Sequence, residues 1–225
     1  MVELAGRPPA DYALPAEVVA LIGTEDADVV WLNLDGGLTV RLGSDRYLKW
    51  SRTPLDAELA RLAWAAARHP VPQVLASGPT WFITAAIDAR SAVHTDGLTA
   101  ARALGAGLRA LHELPIDDCP FEWSAEQRGG VDVPPIDRLV VCHGDACVPN
   151  TLVDADGQWA AHVDLGSLGL ADRWADLAVA SMSLGWNFGD GFEAAFFDAY
   201  GVERDELRIR FYRRLWNAPD VKMDQ

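Results

Sequence analysis

The stretch VVCHGDACVPNTLVD, residues 140–154, decides the fold. An apolar run leads into His143-Gly144-Asp145, Asn150 follows, and a second apolar run closes the segment. The pattern predicts a strand, a short loop and another strand, so a still backbone holds a carboxylate and an amide at a fixed separation. Downstream, NTLVDADGQWAAHVDLG reads as a hairpin that delivers Asp164. A lone loop aspartate is equally well explained as a turn former. What accompanies it must decide.

Asp145, Asn150 and Asp164, in that order, suit phosphoryl transfer to a hydroxyl. One aspartate orients the acceptor and takes its proton, while an amide and a second aspartate hold Mg²⁺ against nucleotide phosphates. Protein kinases space an Asp and an Asn this way on the catalytic loop and follow them with Asp-Phe-Gly. Here Asp164-Leu165-Gly166 stands in that place. Upstream, Lys49 lies in the strand-like RYLKW, and Glu58 borders the apolar face of a helix with its carboxylate expected to point inward. A strand lysine and a helix glutamate pair in kinases, and the lysine then holds the α- and β-phosphates. The turn Asp35-Gly36-Gly37 would let the backbone approach the phosphates closely.

The surrounding texture supports two lobes. DVVWLNL, LTVRLGS and RYLKW read as an antiparallel meander. TPLDAELARLAWAAARH reads as a helix capped by Thr53, with Leu55, Leu59, Leu62 and Ala66 on its apolar face. VPQVLAS and TWFITAAI complete a five-stranded sheet. From about residue 97 helical periodicity takes over, first with Leu104, Leu108 and Leu111 on one face. After the hairpin come the helical segments DRWADLAVASMSL, GFEAAFFDAYG and DELRIRFYRRLW. The expected architecture is α+β: a small antiparallel sheet lobe with one helix, residues 1–86, and a larger, mainly helical lobe, residues 87–225.

Composition narrows the class. Half of the 225 residues are hydrophobic, and no apolar run approaches the roughly 20 residues that span a bilayer. The first residues lack the basic start and apolar core of a signal peptide. Cys119, Cys142 and Cys147 are odd in number and lack paired spacing, so a reducing cytoplasm is expected and a disulfide framework is not. A formal charge of −14 argues against a nucleic-acid partner and suits a cationic substrate.

HGDACVPN, VDLGSLGLADRWADLA, WNFGDGFEAAFFDAYG and LRIRFYRRLW together resemble the aminoglycoside phosphotransferases, especially the 3′-type enzymes and their actinobacterial relatives. LRALHELPIDDCPFEWS is similar to that family too. The resemblance implies a protein-kinase-like fold and a monomeric enzyme that phosphorylates a hydroxyl of a cationic aminosugar antibiotic with ATP or GTP and Mg²⁺. It implies Asp145 as catalytic base, Asn150 and Asp164 as magnesium ligands, and Lys49 with Glu58 as the phosphate-holding pair. Gly36 and Gly37 would lie near the nucleotide, and a hinge at 84–87, through Ala85 and Ile87, would receive the purine. Three features depart from the pattern. Ser167 stands where an arginine often follows Asp-Leu-Gly. GWNFG and RRLWNAPD offer no counterpart to the acidic residues that bind drug ammonium groups. Only GGVDV joins EWSAEQR to PPIDRLVV, where relatives carry several tens of residues of helical insert.

Other residues have plainer readings. His143 is expected to brace the loop through a backbone carbonyl, and Asp172, Arg173 and Asp176 to brace it through hydrogen bonds. Trp186 and the stripe Phe192, Phe196 and Tyr200 read as core. Asp117, Asp190 and Glu193 are candidate contacts for a cationic acceptor, and Asp117 with Asp118 also fits a solvated turn. The rival functions are a kinase of another small alcohol, a nucleotide-binding protein without transferase activity, and a metal-dependent phosphohydrolase, which His-Gly-Asp also suggests.

Overall fold

Alternation along LTVRL sets the first sheet: Leu38, Val40 and Leu42 are buried while Arg41 is exposed. The computed structural model describes residues 6–9, 12–33, 36–123 and 132–218. Asp35, most of the connection after Trp123, and the end of RRLWNAPD lie outside the described residues. The chain divides into two compact units, Met1–Ala63 with Pro72–Ile87, and Trp64–Val71 with Asp88–Gln225.

In the first unit, strands β1 (Ala27–Leu32), β2 (Leu38–Leu42), β3 (Arg46–Trp50), β4 (Val74–Gly78) and β5 (Trp81–Ala85) form one antiparallel sheet in the order β1-β2-β3-β5-β4. The expected meander and five-stranded sheet are therefore present. A helix that the sequence reading missed, α1 (Ala16–Ile22), precedes them. It has seven residues and no side-chain cap, too little for a periodic signal. Tertiary contacts hold it instead. Val18 packs with Leu38, Val40, Leu42, Leu48 and Trp50, and Glu17 accepts hydrogen bonds from Trp50 Nε1 and Thr80 Oγ1, each at 3.0 Å.

Helix α2 (Asp56–Ala66) begins two residues later than its cap signal suggested. Thr53 Oγ1 lies 3.1 Å from Ser51 Oγ, and Leu55 O accepts the first helical bond from Leu59 N. Its buried face is Leu55, Leu62 and Ala65, whereas Ala66 is exposed. Residues 64–71, placed with the small lobe by sequence, belong to the second unit. Trp64 Nε1 donates to Asp118 O at 3.0 Å, Arg68 pairs with the Asp118 carboxylate, and Pro70 O accepts His162 N at 3.1 Å.

The second unit opens with β6 (Arg90–Ser91) and α3 (Gly97–His112), capped by Asp96, whose carboxylate accepts Leu98 N and Thr99 N at 3.0 Å. Leu104, Leu108 and Leu111 are fully buried. A β-carbon at Gly105 would stand 2.5 Å from Phe196 O, so this glycine permits close approach of α5 (Glu193–Tyr200). Strand β7 (Leu139–Cys142) pairs antiparallel with β10 (Gly169–Asp172), while β8 (Thr151–Val153) lies between β6 and β9 (Trp159–His162). Asp172 thus ends a strand rather than starting a helix. Helix α4 (Trp174–Phe188) then runs through Gly185 to its cap at Gly189, whose φ of 80° suits glycine. Helix α6 (Glu206–Trp216) completes the core with Ile209, Tyr212 and Leu215.

Inside this unit the rings of His69 and His162 stack, with Nε2 and Nδ1 2.9 Å apart, and His143 meets His162 edge-on. Burial, then the neighbouring His143, lowers the His69 pKa to about 4, and burial holds His162 well below the ordinary range. An unfolded histidine binds its proton near pH 6.5. Stability is therefore whole above that value and falls as the pH drops from 6.5 towards 4, because the unfolded chain protonates first. His69 alone accounts for about 3 kcal/mol across that window. Urea denaturation at pH 7.5 and pH 5 should show a marked loss at the lower pH, and His69→Gln should flatten the dependence.

Candidate active site

Loop 143–150 leaves β7 and enters β8 under the control of one buried carboxylate. Asp176, on α4, accepts His143 N at 2.6 Å, Gly144 N at 2.9 Å and His112 Nε2 at 3.1 Å. Burial pushes its pKa up, but these donors, His112 foremost, hold it below the ordinary value, so it is ionised. Because a carboxylate only accepts, His112 Nε2 carries the hydrogen, and its Nδ1 lies 2.8 Å from Tyr200 Oη. Of the three expected braces, Asp176 holds the loop. Asp172 instead binds Arg208 at 2.7 Å and Asp137 N at 3.1 Å, and Arg173 pairs with Asp137. Both secure the start of α4.

Gly144 has φ of +81°, and a β-carbon there would stand 2.1 Å from Ser167 O, directly after Asp-Leu-Gly. Both facts demand glycine. His143 then ties the two motifs together. Its Nε2 lies 3.0 Å from Val163 O, the backbone-carbonyl brace expected of it, while Asp145 N donates to its Nδ1 at 3.3 Å. Val163 N also donates to Asn150 O at 3.0 Å. Val163 is held on both sides, immediately before Asp164. Asp164 itself has φ of +60°, a left-handed backbone that costs a non-glycine residue of order 1–3 kcal/mol and tends to mark functional sites.

Asp145 is partly buried, and both carboxylate oxygens are engaged: Cys147 Sγ lies 3.0 Å from Oδ1, and Asn150 Nδ2 donates to Oδ2 at 3.1 Å. Burial, then the adjacent Asp145, pushes the Cys147 thiol far up, so the thiol remains the donor. Nothing in the spacing of residues signalled this contact, nor the one from Val148 N to Ser183 Oγ on α4 at 2.9 Å. Asn150 directs its amide nitrogen at Asp145, leaving the amide oxygen as a hard donor, and the carboxylate of the exposed Asp164 is of the same hard type. That donor chemistry suits Mg²⁺. The buried trio His112, Cys142 and Asp176 lies within ligand range of itself, but Asp176 already serves three N–H donors and burial pushes the Cys142 thiol well up.

In the first unit, Lys49 Nζ lies 2.7 Å from Glu58 Oε1, with both side chains mostly buried. Gly36 has φ of +83° and donates to Asn33 O at 2.9 Å, while Gly37 O accepts Asn33 N at 2.8 Å. Ala85 donates its N–H to Gln73 O at 2.9 Å, and Ile87 ends the unit. Among the acceptor candidates, Asp117 and Asp190 are exposed. Glu193 is already paired with Arg204 at 2.8 Å and Arg213 at 2.6 Å, so a cationic ligand would have to displace two guanidinium groups. Phe196 and Tyr200 are core, as read, but Trp186 is not: 58% of it is exposed, because it lies on the last turn of α4 beyond the packed face.

Residues 17–135 and 131–212 match the sequence model of the phosphotransferase enzyme family. The chain is 28% identical to the aminoglycoside 3′-phosphotransferase of Niallia circulans, over 89% of this chain and 95% of that one. It is 32% identical to the aminoglycoside 3′-phosphotransferase of Streptomyces fradiae, over 72% and 78% of the respective chains. The structure superposes on aminoglycoside phosphotransferase APH(3″)-Id from Streptomyces rimosus with a TM-score of 0.71 and 26% identity, covering 88% of this chain and 94% of that one. The expected protein-kinase-like α+β fold is therefore the observed one. The Niallia circulans alignment spans 253 positions, more than the 225 residues of this chain, so that relative carries residues this chain lacks. The two matched blocks meet at 131–135, at the short connection.

Gly144→Ala should lower stability by about 1–3 kcal/mol through the left-handed backbone alone, and displacement of Ser167 should add to this. Chemical denaturation measures the loss. A variant as stable as the wild type would show that the two loops can separate freely.

Proposed function

The chain belongs to the phosphotransferase enzyme family, and on that premise we propose that it transfers the γ-phosphoryl group of ATP or GTP to a hydroxyl of an aminoglycoside antibiotic, at the 3′ position. The carrying observation is the Asp145 carboxylate held by Asn150 Nδ2 at 3.1 Å, with Asn150 O bonded to the residue before Asp164. The names of the Niallia circulans and Streptomyces fradiae relatives support the acceptor class and the position. A structure of the Streptomyces rimosus neighbour in complex with ADP and streptomycin supports the nucleotide.

The roles follow from the chemistry of each group. Asp145 orients the acceptor hydroxyl and receives its proton as the phosphoryl group arrives. Cys147 and Asn150 fix the plane of that carboxylate. Asn150 and Asp164 would hold Mg²⁺, which when bound neutralises triphosphate oxygens. In the other unit, read as the nucleotide-binding domain of residues 1–86, Lys49 holds the α- and β-phosphates and Glu58 keeps its ammonium in place. Gly36 and Gly37 would line the phosphates, and Ala85 and Ile87 would meet the purine. Asp117 and Asp190 are left as carboxylates for drug ammonium groups. The reading is of a monomeric cytoplasmic enzyme, which suits Cys119, Cys142 and Cys147 lying outside any disulfide. No helix among the described residues is long and apolar enough to cross a membrane.

A second reading, a kinase of another small alcohol, draws on the residues this chain lacks and on the neutralised Glu193.

A panel of aminoglycosides with ATP and with GTP, read by nucleoside diphosphate release and product mass, should give drug-dependent turnover. Silence across the whole panel would favour the second reading. Asp145→Ala should abolish transfer while nucleotide still binds. Lys49→Ala should slow turnover by about 10² or more if its contact strengthens in the transition state. Excess chelator should stop the reaction, and full turnover in its presence would remove the assignment of Asn150 and Asp164.

A further inference from the structure

The nine tryptophans all lie among the described residues, and eight of them are buried or half-buried. Trp186 alone is exposed. A single exposed apolar side chain is ordinary on a protein surface, so exposure decides nothing without position. Position is informative here. Ser183 Oγ accepts the N–H of Val148, within the loop that carries Asp145 and Asn150, at 2.9 Å. Asn187 Nδ2 reaches back to Ser183 O at 2.8 Å and to its Oγ at 3.3 Å. Trp186 is three residues from Ser183 on α4, and residues at that separation are neighbours on one helix flank. The indole therefore stands about one helical turn from a side chain that grips the candidate catalytic loop.

The polar groups around it point the same way. The last turn of α4 is Gly185, Trp186, Asn187 and Phe188, with no carboxylate. Glu193, at the start of α5, is held by Arg204 and Arg213. Phe188 turns to Phe192, ring centroids 6.1 Å apart, and is half-buried. The exposed ring of this turn is thus an apolar face open to solvent, with a negative π-cloud. A six-membered sugar or aminocyclitol offers such a face axial C–H bonds, and its ammonium substituents add a cation–π contribution.

We propose that Trp186 is a specificity-determining residue, whose indole face receives a ring of the aminosugar acceptor beside Asp145. The inference rests on the phosphotransferase reading above for the identity of the occupant. It adds recognition by stacking to the ion pairing available at the exposed Asp190, four residues on.

The test uses the full chain with neomycin, kanamycin and streptomycin, and the variants Trp186→Ala and Trp186→Phe. With an acceptor the wild type turns over, Trp186→Ala should raise the acceptor KM at least fivefold while the ATP KM moves less than twofold. Trp186→Phe should recover most of the loss. The Ala-to-wild-type ratio should be the same at low and at moderate salt, because stacking is not screened as charge pairs are. Tryptophan fluorescence should respond to acceptor in the wild type and lose that response in Trp186→Phe. An acceptor KM unchanged in Trp186→Ala overturns the proposal, as does an equal rise in the ATP KM, which would mark a structural role. If the wild type binds an aminoglycoside through a Trp186 signal but turns none over, the platform stands and the phosphotransfer reading falls. If there is neither turnover nor a fluorescence response, both fall.

Discussion

The arrangement depends on a carboxylate that never meets solvent. Asp176 takes two consecutive backbone N–H groups, of His143 and Gly144, at 2.6 and 2.9 Å, and so dictates the path of the chain as it leaves β7. Removing one partner of such a buried charge typically costs several kcal/mol, because the stranded groups keep their desolvation penalty. Helix α4 is in turn anchored at its start, where Asp172 binds Arg208 and Trp174 N. The loop therefore inherits the rigidity of a helix packed against α3 and α6. His112 completes the chain of contacts by linking Asp176 to Tyr200 on α5. A loop proposed to carry the base Asp145 needs this support, since small misplacements of a reacting group cost rate steeply.

His143 transmits that order to the second carboxylate. One imidazole spans two motifs by bonding the Val163 carbonyl and the Asp145 amide. Asp164 can hold its left-handed backbone because Val163 is fixed at both its N–H and its C=O. Strain at a functional residue persists only where its surroundings over-determine it. Here the determinants are two hydrogen bonds, and the close approach of Gly144 to Ser167 leaves no room to relax them.

What was legible in the sequence was what repeats or alternates. Leu38, Val40 and Leu42 at period two, and Leu104, Leu108 and Leu111 at helical spacing, gave strands and a helix in the right places. Asp145, Asn150 and Asp164 stood out by their order and spacing, and the structure bonds Asn150 to Asp145 and to the residue before Asp164. Their contacts were not legible. The Cys147 thiol on Asp145, Ser183 beneath Val148 and the network on Asp176 join residues distant in the chain or unremarkable in type. Helix α1 escaped for a related reason, since its hold is Glu17 on Trp50 and Thr80 rather than any propensity of its own. Trp186 was read as core because periodicity weighs an indole as apolar without seeing where the neighbouring helix face ends.

That misreading bears on how specificity is distributed over the fold. Within each unit the candidate groups differ in how tightly they are held: Lys49 pairs with Glu58 in the first, while in the second Asn150 is bonded to Asp145 and the exposed Asp164 follows a Val163 fixed at its N–H and its C=O. The candidates for contact with an acceptor are chemically mixed, with Asp117 and Asp190 exposed, Glu193 paired with two arginines and Trp186 exposed. The two matched family blocks meet at the short connection, and the Niallia circulans relative has more residues than this chain can align. The constraint on Asp176 and Gly144 is thus compatible with wide drift at Trp186, because among the described residues loop 143–150 is held by bonds to Asp176, Ser183 and Val163 and not by the indole.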